Sequence, residues 1–303
     1  MQSSDEPRGA EWAFEQYEAV RSALPYAELP NHSDFVPNLS ALQDRFNTFL
    51  LDAFGILNVG ERAIPGAIER MAELRNTGKR LLVLSNSASY PSAVTAARYR
   101  ALGFDFSDKE VVTSRDALKV GLRRYPQIRW GVAAMHSAQI DELGVNVTLL
   151  QDDPTPYRDV DGFILLSSSE WTDARQSLLV DALVRNARPV LVGNPDIVAP
   201  RETALSLEPG YYAHDLASRA GIKPAFFGKP FSNIFELAVN RLDGFDLERT
   251  AMVGDTLHTD VLGGAAAKLQ TVLVTDHGLF AGTKVDSFIK NARIVPHFIC
   301  RTT

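Results

Sequence analysis

A helical segment between two apolar strands is the feature that most constrains how this chain can fold. The apolar run Phe49–Leu51 is followed, beyond a turn at Pro65-Gly66, by the segment 67–77, whose apolar residues recur at helical spacing. The next run, 80–84, has four consecutive apolar residues, which is typical of a strand buried on both faces of a parallel sheet. A strand, a helix and a strand in this order predict a right-handed crossover unit and an α/β fold.

The same alternation continues along the chain, and 303 residues are enough for two cores. We predict a doubly wound parallel sheet core from residues 1–115 and 222–303, with an N-terminal helical extension over 1–45 and an inserted α/β cap over 116–221. Further strands are predicted over 110–113, 129–134, 147–150, 162–166, 189–192, 225–227, 250–253 and 271–274. Further helices are predicted over 11–24, 40–46, 91–102, 137–143, 172–186, 232–242 and 260–268.

Composition narrows the class of partner. The formal net charge is −6 and no basic stripe is visible, which argues against binding to nucleic acid or to a membrane surface. We therefore expect a small-molecule substrate. Cys300 is the only cysteine, so no internal disulfide can form, and we interpret it as structural. The first nine residues are polar and acidic and no apolar run reaches the length of a membrane span, so we expect a cytoplasmic protein.

Polar side chains follow the carboxyl ends of several predicted strands. Asp52 ends the first strand, Ser85 the second, and Lys229 and Asp255 follow strands near the end of the chain. Asp260 lies five residues after Asp255, where a helix is predicted to begin. Because ligands of open parallel sheets bind at the carboxyl ends of the strands, we expect these residues to converge in one crevice.

The acidic residues in this set suit metal-assisted phosphoryl transfer. Asp52 is a candidate nucleophile that could form an aspartyl-phosphate. Magnesium prefers octahedral oxygen ligands. We predict that Asp52, the backbone carbonyl of Phe54 and Asp255 supply them. Asp260 could bind the metal directly or orient a metal-bound water.

The remaining polar residues could stabilise the phosphoryl group. The hydroxyl of Ser85 and the amide of Asn86 can donate hydrogen bonds to phosphoryl oxygens. Lys229 can neutralise the charge around the nucleophile. Each residue alone is more often part of an ordinary turn or loop. Their occurrence in order, each after an apolar strand, is what supports the prediction of a catalytic site.

Four motifs in this order resemble those of the haloacid dehalogenase superfamily of hydrolases. They are Asp52-Ala53-Phe54-Gly55-Ile56-Leu57, Leu84-Ser85-Asn86, Gly228-Lys229-Pro230 and Gly254-Asp255-Thr256-Leu257-His258-Thr259-Asp260. The long insertion with Gly193-Asn194-Pro195-Asp196 is similar to the class IIA branch of nitrophenylphosphatase-like and sugar-phosphatase-like proteins. The resemblance implies a Rossmann-like core, an α/β cap, a required magnesium ion and, usually, hydrolysis of phosphomonoesters. It also makes a cap-mediated homodimer an expectation.

The insertion offers candidate substrate contacts. Asn194 and Asp196 either form a turn after a strand or, as the resemblance implies, shape the cap face over the active site and bind substrate. Three aromatic or imidazole side chains could contact substrate or pack the cap onto the core: Tyr211, Tyr212 and His214. His258 lies between the two acids of the fourth motif, and we expect it to be exposed on the loop.

Phe54 is the departure from the family pattern. In the family's phosphatases an aspartate two residues after the nucleophile protonates the leaving alcohol and activates the hydrolytic water, which is worth about 10²–10⁴-fold in rate. Phenylalanine can do neither.

Three alternatives follow from this departure. The chain could be a phosphatase that is slow or recruits another group such as His258. It could hydrolyse a carbon–phosphorus or carbon–halogen bond. It could be a non-catalytic protein that binds a metal or a phosphorylated metabolite. The pair Asp255 and Asp260 disfavours the carbon–halogen version, because that mechanism in the family needs no cation. A magnesium-dependent hydrolase is the leading prediction.

Overall fold

Two parallel sheets organise the chain in the computed structural model, which describes residues 9–200 and 205–303. The strands are β1 (Asp34–Val36), β2 (Thr48–Leu51), β3 (Asn58–Val59), β4 (Arg62–Ala63), β5 (Arg80–Ser85), β6 (Val111–Thr113), β7 (Arg129–Ala133), β8 (Asn146–Leu149), β9 (Gly162–Leu165), β10 (Val190–Val192), β11 (Val198–Pro200), β12 (Leu205–Leu207), β13 (Ala225–Phe226), β14 (Thr250–Gly254), β15 (Gln270–Val274) and β16 (Phe298–Cys300). The α-helices are α1 (Ala10–Ala19), α2 (Ala67–Asn76), α3 (Ser92–Ala101), α4 (Ser114–Leu122), α5 (Thr155–Asp159), α6 (Asp173–Arg185), α7 (Pro209–Ala220), α8 (Ser232–Val239), α9 (Leu262–Ala266) and α10 (Asp286–Ala292).

The larger sheet has seven strands in the order β1-β16-β15-β14-β2-β5-β6, and every neighbouring pair is parallel. All four residues of β2 are buried, as its central position requires. Leu51 pairs with Val253 of β14 on one side and with Val83 of β5 on the other. The carboxyl ends of these three strands therefore lie side by side, and α2 connects β2 to β5 as the sequence predicts.

The smaller sheet has five parallel strands in the order β13-β10-β9-β7-β8. It lies in the middle of the chain with α5, α6 and α7, and we call this assembly the cap unit. Trp130 and Phe163 are fully buried in the apolar clusters of this unit. The doubly wound α/β architecture with an inserted α/β unit is thereby confirmed. Among residues 9–200 and 205–303, no helix is long and apolar enough to span a membrane.

The predicted boundary at residue 222 does not coincide with the division between the sheets. We predict the strand near Ala225 as part of the core. In the structure Leu191 of β10 pairs with Ala225, so β13 is instead an edge strand of the cap unit. The local pattern identifies a strand without identifying its partner, which depends on packing far along the chain.

Several helix predictions differ from the structure at their ends. The N-terminal helix stops at Ala19 and continues as a 3₁₀ turn over Arg21–Ala23. The helix predicted over 40–46 is a four-residue 3₁₀ helix over Leu39–Leu42, which Asn38 caps. Only Ile140–Leu143 of the predicted helix 137–143 is helical, again as a 3₁₀ turn. These segments are short, and tertiary packing rather than helix propensity sets where they end.

One π-helix and six short strands lie outside the predicted elements, and the strands are β1, β3, β4, β11, β12 and β16. β1 and β16 pair with each other at one edge of the seven-stranded sheet, although their segments are separated by most of the chain. The helix predicted from Asp260 begins earlier, as a π-helix over Leu257–Val261 that leads into α9. A π-helical turn inside a longer helix is rare and is frequent at functional sites.

Candidate active site

Three carboxylates meet at the carboxyl ends of β2 and β14. Asp52 follows β2 and Asp255 follows β14, while Asp260 lies in the π-helix that comes next. One oxygen from each of Asp52, Asp255 and Asp260 lies within 4.8 Å of the others. Asp260 packs directly against Gly254, where a larger residue would collide with its carboxylate. The cluster therefore exists because two adjacent parallel strands end together and a glycine lets the next turn fold back.

Lys229 links two of these carboxylates. Its Nζ donates hydrogen bonds to Asp52 Oδ1 at 2.6 Å and to Asp260 Oδ1 at 2.7 Å. The side chain is only 2% exposed. Burial alone would lower the pKa of Lys229, but attraction to Asp260 and Asp52 outweighs it and holds this pKa above its ordinary value. Lys229 is therefore a fixed positive charge beside the candidate nucleophile.

Asp255 and Asp260 are held by backbone and hydroxyl donors. Asp255 Oδ2 accepts from the Leu279 N–H at 2.6 Å and its Oδ1 accepts from the Thr256 hydroxyl at 3.1 Å. Asp260 Oδ2 accepts from the Thr256 N–H at 3.1 Å. Burial, followed by repulsion from Asp52, raises the pKa of Asp255 well above its ordinary value. Burial raises the pKa of Asp260 to about 6, although Lys229 opposes this.

The charge of this cluster suits a divalent cation. Three carboxylates face one ammonium group, so full ionisation leaves two uncompensated negative charges in a buried place. Burial is the main cause of the raised pKa values of Asp255 and Asp260, and repulsion from Asp52 adds to it. Carboxylate oxygens are also the ligands that magnesium and calcium prefer. The donor set therefore fits a divalent cation at Asp52, Asp255 and Asp260, and the carbonyl of Phe54 as a further ligand stays a prediction.

Ser85 and Asn86 lie at the carboxyl end of β5 and are both buried. The Ser85 hydroxyl accepts from the Ser87 N–H at 3.2 Å and also interacts with the phenol of the buried Tyr99. Asn86 behaves differently from the prediction, because both of its amide hydrogens are used within the protein. Asn86 Nδ2 donates to Asp196 Oδ1 at 2.8 Å and to the Lys229 carbonyl at 2.9 Å, and Asn86 Oδ1 accepts from the Lys229 N–H. The Asn86 side chain therefore positions Lys229 and Asp196.

Asn194 and Asp196 form a turn and also face the candidate site. The Asp196 N–H donates to Asn194 Oδ1 at 2.9 Å, which is an Asx turn. Asn194 Nδ2 donates to Glu208 Oε2 at 3.2 Å. Burial raises the pKa of Asp196 to about 8, with hydrogen bonding from Asn86 opposing it. The two interpretations of this segment are thus compatible, since a turn presents Asp196 toward the cluster.

A cavity of about 730 Å³ brings these residues together. Its walls include the nucleophile candidate and its neighbours from several elements: Asp52, Phe54, Ser85, Asn86, Asn194, Asp196, Lys229 and Asp255. Asp260 is 1% exposed and lies behind this wall. Tyr17 of α1 also lines the cavity, and the sequence analysis missed it because the periodicity of α1 does not reveal what the helix packs against.

The remaining candidates lie away from the cavity. The expectation that His258 is exposed is wrong, since its ring is 1% exposed, stacks on Tyr17 at 5.1 Å and has its Nε2 2.6 Å from Glu18 Oε1. His214 stacks on Phe226 of β13 at a ring distance of 4.9 Å. Tyr211 and Tyr212 belong to the same helix, α7, and pack against apolar clusters. These aromatic residues therefore have packing roles.

Comparison with known proteins agrees with the motifs and the fold. A family model described as haloacid dehalogenase-like hydrolase matches residues 49–147, and one described as HAD-hydrolase-like matches residues 226–300. The chain is 26% identical over 232 residues to a dihydroxyacetone phosphatase of Corynebacterium glutamicum, covering 75% of this chain and 80% of that protein. The crystal structure of a possible sugar phosphatase of the same superfamily from Cytophaga hutchinsonii has a TM-score of 0.77 and 25% identity, covering 91% of this chain and 98% of that one.

A solved relative with a bound cation has the same fold. The glycerol phosphate phosphatase of Mycobacterium tuberculosis, determined in complex with magnesium, has a TM-score of 0.69 and 22% identity, covering 86% of this chain and 76% of that one. The chain belongs to the haloacid dehalogenase superfamily of hydrolases, in its class IIA branch.

Proposed function

We propose that this hydrolase is a magnesium-dependent phosphatase that acts on a small phosphorylated metabolite through an aspartyl-phosphate on Asp52. The observation that carries the proposal is the ion pair of Lys229 with Asp52 at the wall of a cavity that Asp255 also lines, with Asp260 bonded to Lys229 behind that wall. The relatives include a dihydroxyacetone phosphatase and a possible sugar phosphatase, which supports a phosphate ester of a small polar metabolite as the substrate.

The residues divide the chemistry among them. Asp52 attacks the phosphorus while the bond to the leaving oxygen breaks, and water later hydrolyses the aspartyl-phosphate. Lys229 neutralises negative charge beside the nucleophile, and the Ser85 hydroxyl donates to a phosphoryl oxygen. A bound magnesium ion supplies electrostatic stabilisation of the phosphoryl oxygens. Asp52, Asp255, Asp260 and the Phe54 carbonyl are its proposed ligands. The cytoplasmic location and the cap-mediated homodimer stay predictions from the sequence.

Substitution of the nucleophile tests this function. Asp52→Asn should lower turnover of sugar, alkyl and aryl phosphates by about three orders of magnitude or more, because the amide is a poor nucleophile. The measurement is phosphate release by wild type and variant, with magnesium and with a chelator. Asp44→Asn changes an exposed carboxylate in the same way and should leave turnover unchanged.

Two outcomes would contradict the proposal. Turnover that persists with the chelator would exclude the metal-dependent mechanism. Binding of phosphate esters without any turnover would favour the non-catalytic alternative that Phe54 raises. Phosphonates and halogenated acids belong in the same panel, because turnover confined to them would show that the site cleaves a carbon–phosphorus or carbon–halogen bond.

A further inference from the structure

The proposed reaction requires a proton donor for the leaving group. A leaving alkoxide must gain a proton when its bond to phosphorus breaks, and the side chain of Phe54 lies at the cavity wall where it cannot supply one. Asp52 acts as nucleophile and Asp255 is a proposed metal ligand, so neither is available for this task. The donor must be another group on the same cavity wall.

The cavity contains three other carboxyl groups, and their surroundings differ. Glu61 is exposed and forms a bidentate ion pair with Arg98, with its closest contact at 2.7 Å, so both of its carboxylate oxygens are already bonded within the protein. Glu208 also has both oxygens bonded, because Oε2 accepts a hydrogen bond from Asn194 Nδ2 and Oε1 accepts one from the Ser206 hydroxyl. Asp196 is the third carboxyl group, and only one of its oxygens, Oδ1, accepts a hydrogen bond from the described residues.

Asp196 faces the cavity from the cap unit. Its Oδ1 accepts one hydrogen bond, from Asn86 Nδ2, and the same amide group holds the Lys229 carbonyl. Within the described parts of the chain, Asp196 Oδ2 has no hydrogen-bond partner. One carboxyl oxygen is thus anchored to the residue that positions Lys229, while the other is available to a ligand in the cavity.

We propose that Asp196 is the general acid and base of this enzyme and takes the place of the aspartate that Phe54 replaces. The inference rests on the proposed phosphatase function. In the first step Asp52 bonds to phosphorus, the leaving oxygen departs with its electron pair, and the Asp196 carboxyl gives it a proton. In the second step Asp196, now a carboxylate, takes a proton from water as the water oxygen attacks phosphorus. Phosphate leaves, Asp52 regains its carboxylate, and Asp196 is again a carboxylic acid.

The charges around Asp196 suit a group that begins as an acid. The charged groups that act on it are Lys229, which favours ionisation of the Asp196 carboxyl group, and Asp52 and Glu208, which disfavour it. The phenol of Tyr17, from α1, faces it as well. With burial added, the pKa of Asp196 is about 8, so the protonated form is abundant at neutral pH and the carboxylate is accessible.

Asp196→Asn is the substitution that separates proton transfer from packing. The asparagine oxygen can still accept from Asn86 Nδ2, but the side chain cannot transfer a proton. We expect kcat/KM for alkyl phosphates to fall about 10²–10³-fold, and kcat/KM for p-nitrophenyl phosphate to fall less than about 10-fold, because a phenolate with a low pKa needs little protonation. The wild-type activity on alkyl phosphates should decline above about pH 8, as Asp196 loses its proton, and the variant should lack this decline.

Restoration of an acid at position 54 provides the second variant. When Phe54→Asp is added to Asp196→Asn, kcat/KM for alkyl phosphates should rise at least about 10-fold above that of Asp196→Asn alone. Such a gain also shows that the variant is folded. Asp181→Asn removes an exposed carboxylate from α6 of the same unit. It should leave the ratio of kcat/KM for alkyl phosphates to kcat/KM for p-nitrophenyl phosphate unchanged.

The outcomes distinguish this inference from the proposed function. If wild type hydrolyses none of the esters, the phosphatase function fails and the role of Asp196 with it. If wild type hydrolyses them, the proposed function stands. The inference is overturned if Asp196→Asn lowers kcat/KM for alkyl and aryl phosphates equally, or lowers kcat/KM for neither. A selective loss on alkyl phosphates that Phe54→Asp repairs supports both.

Discussion

Asp255 lies between two glycines that leave no space for a side chain. Gly55 has a φ of +76° and a Cβ there would lie 2.8 Å from Asp255 Cβ. Gly278 has a φ of +81°, and its Cβ would collide with the Asp255 carboxylate. Leu279, the next residue, donates its N–H to the same carboxylate. The loop after β15 therefore fixes the orientation of a proposed metal ligand, although it contributes no acidic side chain.

Gly278→Ala should weaken metal binding more than it weakens the fold. The alanine must displace Asp255 and adopt an unfavourable positive φ, which costs about 1–2 kcal/mol for the backbone alone. Gly282→Ala is the matched control, since Gly282 has a φ of +75° with nothing within 4 Å of the added Cβ. Gly278→Ala should lose at least as much stability in urea as Gly282→Ala, and only Gly278→Ala should raise the magnesium concentration needed for half-maximal activity. An equal effect of both variants would exclude a specific role for Gly278.

The residues of the site differ in how well the sequence predicts them. Asp52, Lys229 and Asp255 follow strands, and parallel strands place their carboxyl ends at one edge, so a local pattern was sufficient to group them. Asp196 and Tyr17 reach the cavity from the cap unit and from α1. Their positions depend on how separate elements pack, which no local pattern contains. The same limit explains why Asn86 was assigned to substrate, although its amide positions other residues.

At the scale of elements, the continuously apolar strands in the middle of the larger sheet were predictable, whereas β1 and β16 were not. β2, β5 and β14 lie in the middle of the larger sheet, where burial on both faces demands apolar residues throughout. β1, β13 and β16 are short, and each is defined by its partner. β13 is also covered by α7, whose half-buried His214 stacks on Phe226, so an edge of the cap unit depends on an imidazole.

His214 should make the stability of the cap unit depend on pH. Burial lowers the pKa of His214 to about 4, below the ordinary value of 6.5. Between these values the unfolded chain binds a proton that the folded chain does not, so stability is fully present above pH 6.5 and decreases as the pH falls. At pH 5 the loss is on the order of 1–2 kcal/mol.

The measurement is urea unfolding of wild type and His214→Phe at pH 7 and pH 5. The variant keeps an aromatic ring against Phe226 but cannot be protonated, so its stability should decrease less between the two pH values. Burial also lowers the pKa of His258 and His297, so part of the pH dependence should persist. His32→Phe replaces an exposed imidazole and should behave like wild type. A variant with the wild-type pH dependence would show that His214 is not responsible.

At the scale of the whole molecule, α1 connects the seven-stranded sheet to the cap unit. The Tyr17 hydroxyl accepts from the Ile197 N–H at 3.2 Å, just before the hairpin of β11 and β12. The Tyr17 ring stacks on His258, which Phe14 and Glu18 also contact. The α1 residues Phe14, Tyr17 and Glu18 precede position 49, where the match to the family model begins. The N-terminal helix thus holds the segment with Asp196 and the segment with Asp260 against a common surface.

Tyr17→Phe should therefore destabilise the whole molecule and affect the site. Loss of the hydroxyl leaves the buried Ile197 N–H without its acceptor, which costs about 1–3 kcal/mol in unfolding free energy. The change also loosens the turn that carries Asp196, so KM for a phosphate ester should rise by a few-fold. Urea unfolding and steady-state kinetics measure the two effects. Tyr26→Phe makes the same chemical change at a residue that is 85% exposed and should stay within about 0.5 kcal/mol of wild type. If both variants match wild type, the Tyr17 hydroxyl does not hold the cap unit against the core, and the apolar contacts of α1 alone must do so.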